Sequence, residues 1–311
     1  MPEIITIGEI LVEIMREEVD VPLNKTSTFV GPYPSGAPAI FADAVARLNH
    51  SSGIIGGIGR DEFGERVLNR LEKDGVDTSR VLESEDLSTG VAFVTYFSDG
   101  SRKFIYHMDN SAAGIVDAHD VDRDYFEGAN AVHINGSSLM MGKKMREACY
   151  RVVKIADDEN IRVSFDPNIR PELGDLKRTR EIVSPLFESA ELVTPSIEEI
   201  RWVTGDENEE EAAENLLEDG IQIVAIKKGG EGCAIYTKEK ILKVPSFDVK
   251  EVDPTGAGDA FSAAMIVGMT EGMSLEKLGR FANAVGGMAV TKRGPMEGLA
   301  RRKKIEGMIG A

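Results

Sequence analysis

The chain is poor in cysteine, histidine and tryptophan: its 311 residues include two, four and one of them. Cys149 and Cys233 stand far apart without CxxC spacing, which excludes a disulfide framework and a thiolate zinc site and suits a reducing compartment. His50, His107, His119 and His133 show no metal-ligand spacing, and no HExxH occurs. Positive charge is scarce as well. Thirty-six Lys and Arg against 53 Asp and Glu leave a net charge of −17, so no nucleic-acid partner is expected. Long apolar runs are missing: the opening MPEIITIGEILVEIM lacks a basic n-region, Glu9 and Glu13 interrupt it, and no later stretch reaches bilayer length. The expectation is a cytoplasmic protein with no membrane partner.

What the chain does contain is a rhythm. Short β-branched runs bounded by glycine alternate with amphipathic stretches of helix length, the sequence form of an α/β fold with a mostly parallel sheet. Strands are predicted at IITIG, at 53–59, 131–136, 162–167, 191–195 and 223–230. Helices are predicted over about 36–48, 62–74, 142–159, 178–189, 196–204 and 209–219, and almost everywhere after residue 256. The acidic run Glu207 to Glu214 reads as the solvated first turn of a surface helix, not a metal site. Two segments break the rhythm. Residues 87–112 hold VAFVTYF and RKFIYHM around SDGS, a hairpin pattern, and residues 10–34 are extended; together they predict a small separate sheet. With no low-complexity linker, 1–311 reads as one domain carrying these two insertions.

The segment richest in chemistry is Asp253-Pro254-Thr255-Gly256-Ala257-Gly258-Asp259-Ala260-Phe261, running from an extended stretch into an apolar helix. Glycines at a helix N-terminus leave backbone N–H groups uncovered, where donors and dipole together hold a phosphoryl anion. Asp259 follows in the first turn, placed to take the proton of an attacking hydroxyl. Other phosphate motifs fail on the letters: there is no GxxxxGK[ST], and the third glycine of GGIGRDEFG comes too late for a dinucleotide fingerprint.

DPTGAGDAF resembles the C-terminal signature of the ribokinase, or PfkB, family of carbohydrate kinases. The likeness runs through the chain in the family's order: GEILVEI, PSGAPAIFADAVARLN at 34–49, GIGRDEFGERV ending at Val67, FDPNIRPEL at 165–173, TPSIEEI at 194–200 and KKGGEGCAIY at 227–236. The resemblance implies a ribokinase-like three-layer α/β/α sandwich with a small β-sheet lid, and ATP- and Mg2+-dependent phosphorylation of a small sugar, with room for a monovalent cation. It implies Asp259 as the base and Gly256, Ala257 and Gly258 as the anion hole, with Thr255 beside the nucleotide. Ser196, where the family usually has Asn, and Glu199 would serve magnesium-bound phosphates, Glu199 through water. Lys228, Gly229 and Gly232 match the loop against ATP, and Asn283 matches a residue lining the adenine pocket.

For the acceptor, the resemblance points to Glu13, the Gly36-Ala37 backbone, Tyr106 of the lid, Asn168 and Arg170. Ile40 stands where an Asn is often found, which makes ribose a poor candidate. FDPNIRP is similar to the fructokinase and 2-keto-3-deoxygluconate kinase versions. In the latter an Arg that neutralises the substrate carboxylate precedes the Ser-Ala-Ala stretch; here Met108 occupies that place and Asp109 follows. The expectation is therefore a neutral ketohexose, as for fructokinases and tagatose kinases, with the keto-deoxy acid as the alternative. A nucleoside kinase and a non-catalytic sugar sensor are further alternatives, the sensor disfavoured by the intact Asp259. Apolar alternation on the lid predicts a homodimer formed through it.

Overall fold

The computed structural model describes residues 1–170 and 176–310. Seven strands run parallel in the order Ile223–Lys227, Leu192–Val193, Arg162–Asp166, Ala131–Asn135, Ile4–Ile7, Ser52–Gly59 and Asp77–Ser84. The antiparallel pair Cys233–Tyr236 and Ile241–Val244 extends the first edge into a nine-stranded sheet. Side chains alternate across a strand, so each strand feeds two cores. Ile4, Ile54 and Ala225 pack with helices Ala37–Arg47, Ala257–Thr270 and Leu275–Ala289; Ile5, Ile55 and Val224 pack with Lys143–Glu159, Leu176–Ser189 and Glu209–Glu218. This is the expected three-layer sandwich.

The predicted strands and helices occur, except that residues 290–301 of the C-terminal stretch expected to be helical form turns, and three strands were missed. Asp77–Ser84 is a half-exposed edge strand with no apolar run to mark it, and Cys233–Tyr236 with Ile241–Val244 is a short edge pair. Of the FDPNIRPEL motif, Pro171, Glu172 and Leu173 lie outside the described residues. His133 has a structural place: stacked on Phe41 at 4.0 Å and fully buried, it is held neutral, its pKa pushed down to about 3 by burial and by Lys227. Among the described residues, no helix is long and apolar enough to cross a membrane.

The two aberrant segments form a second, four-stranded sheet in the order Phe29–Ser35, Leu11–Arg16, Gly90–Tyr96 and Arg102–His107. Cross-strand register sorts its side chains by face. Tyr96 pairs with Arg102, Val94 with Phe104 and Ala92 with Tyr106 on one face; Phe93 pairs with Ile105 on the other. The first face covers the carboxyl end of the large sheet, where open α/β sheets hold ligands.

Candidate active site

The turn before helix Ala257–Thr270 builds the centre. Gly256 is the N-cap at φ 81, and no side chain caps the helix. A Cβ there would stand 2.5 Å from the Pro295 carbonyl, so both the conformation and the close approach require glycine. Ala257 N–H makes only a long turn contact, 3.4 Å, to Pro254 O, and the first amides of the helix stay available to an anion.

Asp259, 6% exposed, lies in this first turn. Burial, reinforced by Asp166, pushes its pKa up to about 7, against the pull of Lys227 and Arg170. Asn168, held in the left-handed region at φ 42, donates Nδ2 to Asp259 Oδ1 at 3.2 Å. Lys227 Nζ sits 2.6 Å from Asp166 Oδ2, which also accepts from Ser262 Oγ at 3.2 Å. A Cβ on Gly258 would be 3.4 Å from that ammonium, so the Lys227–Asp166 pair lies directly beneath the glycine turn.

This turn lies between two cavities of about 560 Å³ each. The first runs under the lid and is lined by Glu13, Gly36, Ala37, Tyr106, Met108, Asn168, Arg170 and Asp259 among others. All the predicted acceptor residues meet there, with Ile40. Gly36 needs φ 106, and a Cβ would stand 2.3 Å from Glu9 O. Glu13 is buried, its pKa raised to about 7 chiefly by desolvation; Oε1 accepts from Ser35 Oγ at 2.6 Å and Oε2 has no partner among the described residues. The second cavity is a slot walled by Gly229, Gly230, Gly232, Phe247, Asn283 and Gly286. Asn283 is buried, not solvated; its Nδ2 donates to the Val244 and Pro245 carbonyls and so fixes the slot's wall.

Several expected contacts are refined. Ser196 is the N-cap of helix Ile197–Thr204, its Oγ accepting from Glu199 N at 3.2 Å. Glu199 is no surface carboxylate: Oε2 accepts from Ser196 N at 2.7 Å, closing a capping box, and Oε1 accepts from Ile169 N at 2.8 Å. The Lys228 ammonium is turned to Glu209 at 2.9 Å, leaving only its backbone and Gly229 for a nucleotide, because Glu209 leaves the solvated run to take Lys228 and Tyr236. Thr255 lines the first cavity, its Oγ1 3.0 Å from Tyr96 Oη. Sequence reasoning missed Lys227, whose signal was its place at a parallel strand's carboxyl end, and Glu9, whose two oxygens accept from Ser137 and Ser138 at 2.7 and 2.6 Å.

Comparison with known proteins closes the question of lineage. The pfkB family carbohydrate kinase profile matches residues 1–302. The chain belongs to the PfkB family of carbohydrate kinases. Fructokinase-2 of Oryza sativa subsp. japonica is 32% identical over 305 residues, covering 95% of this PfkB kinase and 90% of the relative. The 2-dehydro-3-deoxygluconokinase of Bacillus subtilis (strain 168) is 32% identical over 311 residues, covering 99% and 95%. Among solved structures, a ribokinase II candidate from E. coli in complex with ATP and Mg2+ is 39% identical with a TM-score of 0.93, over 100% of this chain and 99% of that one. Identity alone does not separate the two sugar specificities; the lid cavity has to.

Proposed function

We propose that this PfkB kinase transfers the γ-phosphate of ATP to the hydroxymethyl group of a small neutral ketose. The glycine-walled slot suits a flat base, and the uncapped helix end suits the phosphates beside it. No cluster of three or more His, Cys, Asp or Glu that could hold a metal occurs among the described residues. Glu198 and Glu199 line the cleft and would receive the waters of a magnesium ion, which keeps most of its hydration shell and binds through few carboxylates together with phosphates. Magnesium, when bound, screens charge on those oxygens. Asp259 accepts the acceptor hydroxyl's proton as that oxygen attacks, and Asn168 holds the carboxylate's orientation. Glu13, Gly36 and Ala37 orient the sugar, Arg170 keeps Asp259 from rising further, and the lid excludes water.

The observation that carries the neutral acceptor is the pair of buried carboxylates, Glu9 and Glu13, in the lid cavity, with Met108 on its wall. Glu13 Oε2 is a buried acceptor awaiting a hydroxyl, whereas an acid sugar would bring a further carboxylate into a cavity already lined by Glu9, Glu13 and Asp259. Steady-state kinetics with fructose, tagatose, 2-keto-3-deoxygluconate, ribose and nucleosides tests this. A neutral ketohexose is expected to show the highest kcat/KM; a clearly higher value for the keto-deoxy acid would replace this reading. The same proposal includes a homodimer through the lids.

A further inference from the structure

Two neighbours press on the glycine turn. A Cβ on Gly256 would stand 2.5 Å from Pro295 O and 3.3 Å from Ile40 Cγ2, so this residue is wedged between the segment 294–297 and helix Ala37–Arg47. Each neighbour also serves the cleft directly. Gly294 N donates to Asp253 Oδ2 at 2.8 Å, and the helix starts at the Gly36-Ala37 end that faces the acceptor. A third element ties the two together through Arg70 of helix Glu62–Asp74. Its Nη2 donates to Asp43 Oδ2 of helix Ala37–Arg47 at 2.8 Å and to Met296 O at 2.7 Å, and its Nε reaches the same Asp43 oxygen at 3.1 Å. Nε also lies 2.8 Å from Asp74 Oδ2, and Nη1 lies 3.5 Å from Glu297 Oε1. Asp74 answers with Arg47 at 2.6 Å and Arg301 at 2.9 Å, so the two helices and the C-terminal turns share one charge network. Asp43 is fully buried, and neither it nor Arg70 lines either cavity.

A buried ion pair often adds little net stability, because apolar side chains of similar volume hold two helices as well. Apolar side chains cannot bond a carbonyl oxygen. We infer that Arg70 is a positioning residue for the phosphate-binding turn: anchored on Asp43, its guanidinium fixes the Met296 carbonyl and with it the gap in which Gly256 sits. The inference rests on the phosphoryl-binding reading of that turn and on no particular sugar. Helix amides stabilise developing charge only where they are aimed before transfer begins. Without the brace, the segment 294–297 can draw back from helix Ala37–Arg47 and release the turn between them. The slot for the base, walled by Gly229, Gly232, Phe247 and Asn283, is built from other segments and keeps its shape.

The test compares wild type with Arg70→Met, Arg70→Lys and the double variant Asp43→Leu/Arg70→Met, which replaces the buried pair by an apolar one. With the best acceptor, Arg70→Met is expected to lower kcat by between about tenfold and a hundredfold, the scale of a misplaced reacting group, with the KM for MgATP changed by no more than a few-fold. Arg70→Lys, which keeps the charge but not the fork of donors, should fall between the two. The double variant should regain most of the thermal stability lost in Arg70→Met and still turn over slowly, since it cannot bond Met296 O; should Arg70→Met fail to fold, the double variant supplies the kinetics. A second readout needs no acceptor: MgADP binding by calorimetry with and without aluminium fluoride, which mimics the phosphoryl group in flight. All variants should bind MgADP like wild type, and those lacking Arg70 should tighten less with fluoride. An unchanged kcat in Arg70→Met, a loss confined to the KM for MgATP, recovery of kcat together with stability in the double variant, or undiminished fluoride tightening would each overturn the role of Arg70. A wild type that binds MgADP without tightening in fluoride would overturn the phosphoryl-binding reading of the turn, and the brace with it.

Discussion

At the scale of single residues, the most exposed claim concerns Asp259. Replacing it with Asn keeps the shape and the bond to Asn168 while removing the proton acceptor, so turnover should fall by about two orders of magnitude or more with MgATP binding retained. Near-normal turnover of the purified variant would take Asp259 out of the mechanism. Its raised pKa, about 7, adds a pH signature with opposite signs for rate and stability. The base works deprotonated, so kcat/KM should climb through pH 7. Asp259, Glu13 and Asp43 all have folded pKa values raised from the ordinary carboxylate range to about 7, chiefly by burial. Folding stability from these groups is therefore full below about pH 4 and lost as pH rises through 7, because the folded chain holds their protons where the unfolded one has released them. Thermal melts of the ligand-free protein should fall from about pH 4 to 7 and then level off, while activity climbs through pH 7; parallel curves would contradict the assignment. Asp259 was legible because its neighbours in sequence are its neighbours in space. Lys227 was not: its meaning depends on Asp166, which only the pairing of distant strands brings within 2.6 Å.

At the scale of elements, helix Ile197–Thr204 shows how a local motif can be read for chemistry and prove to be architecture as well. Ser196 and Glu199 close a capping box, and the same Glu199 holds Ile169 N in the loop that carries Asn168 and Arg170. Glu199→Ala should cost about 1–2 kcal/mol, the scale of a lost cap, and lower kcat by loosening that loop. Ser196→Ala removes only the cap. Urea denaturation of both single variants and the double variant should show a double loss smaller than the sum, since one box is dismantled twice; strict additivity would mean that the two side chains act apart. Helices and parallel strands were legible from periodicity because each has an apolar face. Asp77–Ser84 was not, since an edge strand with half-exposed polar residues leaves no such trace.

At the scale of the whole molecule, the lid has two faces with different tasks, and both were foreshadowed by alternation in VAFVTYF and RKFIYHM. The inner face carries Phe104, Tyr106 and Arg102 into the cleft. On the outer face the register aligns Ile14, Phe93 and Ile105 across three strands, with Phe29 against Phe93 at 5.7 Å between ring centroids. Ile105 is 43% and Phe29 39% exposed, an apolar row left open to solvent on a thin four-stranded sheet. A two-fold partner presenting the same row would bury both at once, which is the geometry of an isologous interface. The predicted outcome is a dimer through this row: light scattering of the wild type at micromolar concentration should give twice the 33.8 kDa chain mass. Ile105→Glu places a charge in the middle of that row and should shift the population to monomer. Because Ile105 points away from the cleft, the anion hole and Asp259 are untouched by the substitution, and MgADP affinity should hold. Any loss of sugar turnover in that monomer would then measure how far each lid depends on its partner to stay closed. A wild type that is monomeric throughout the micromolar range would leave the outer row without this role.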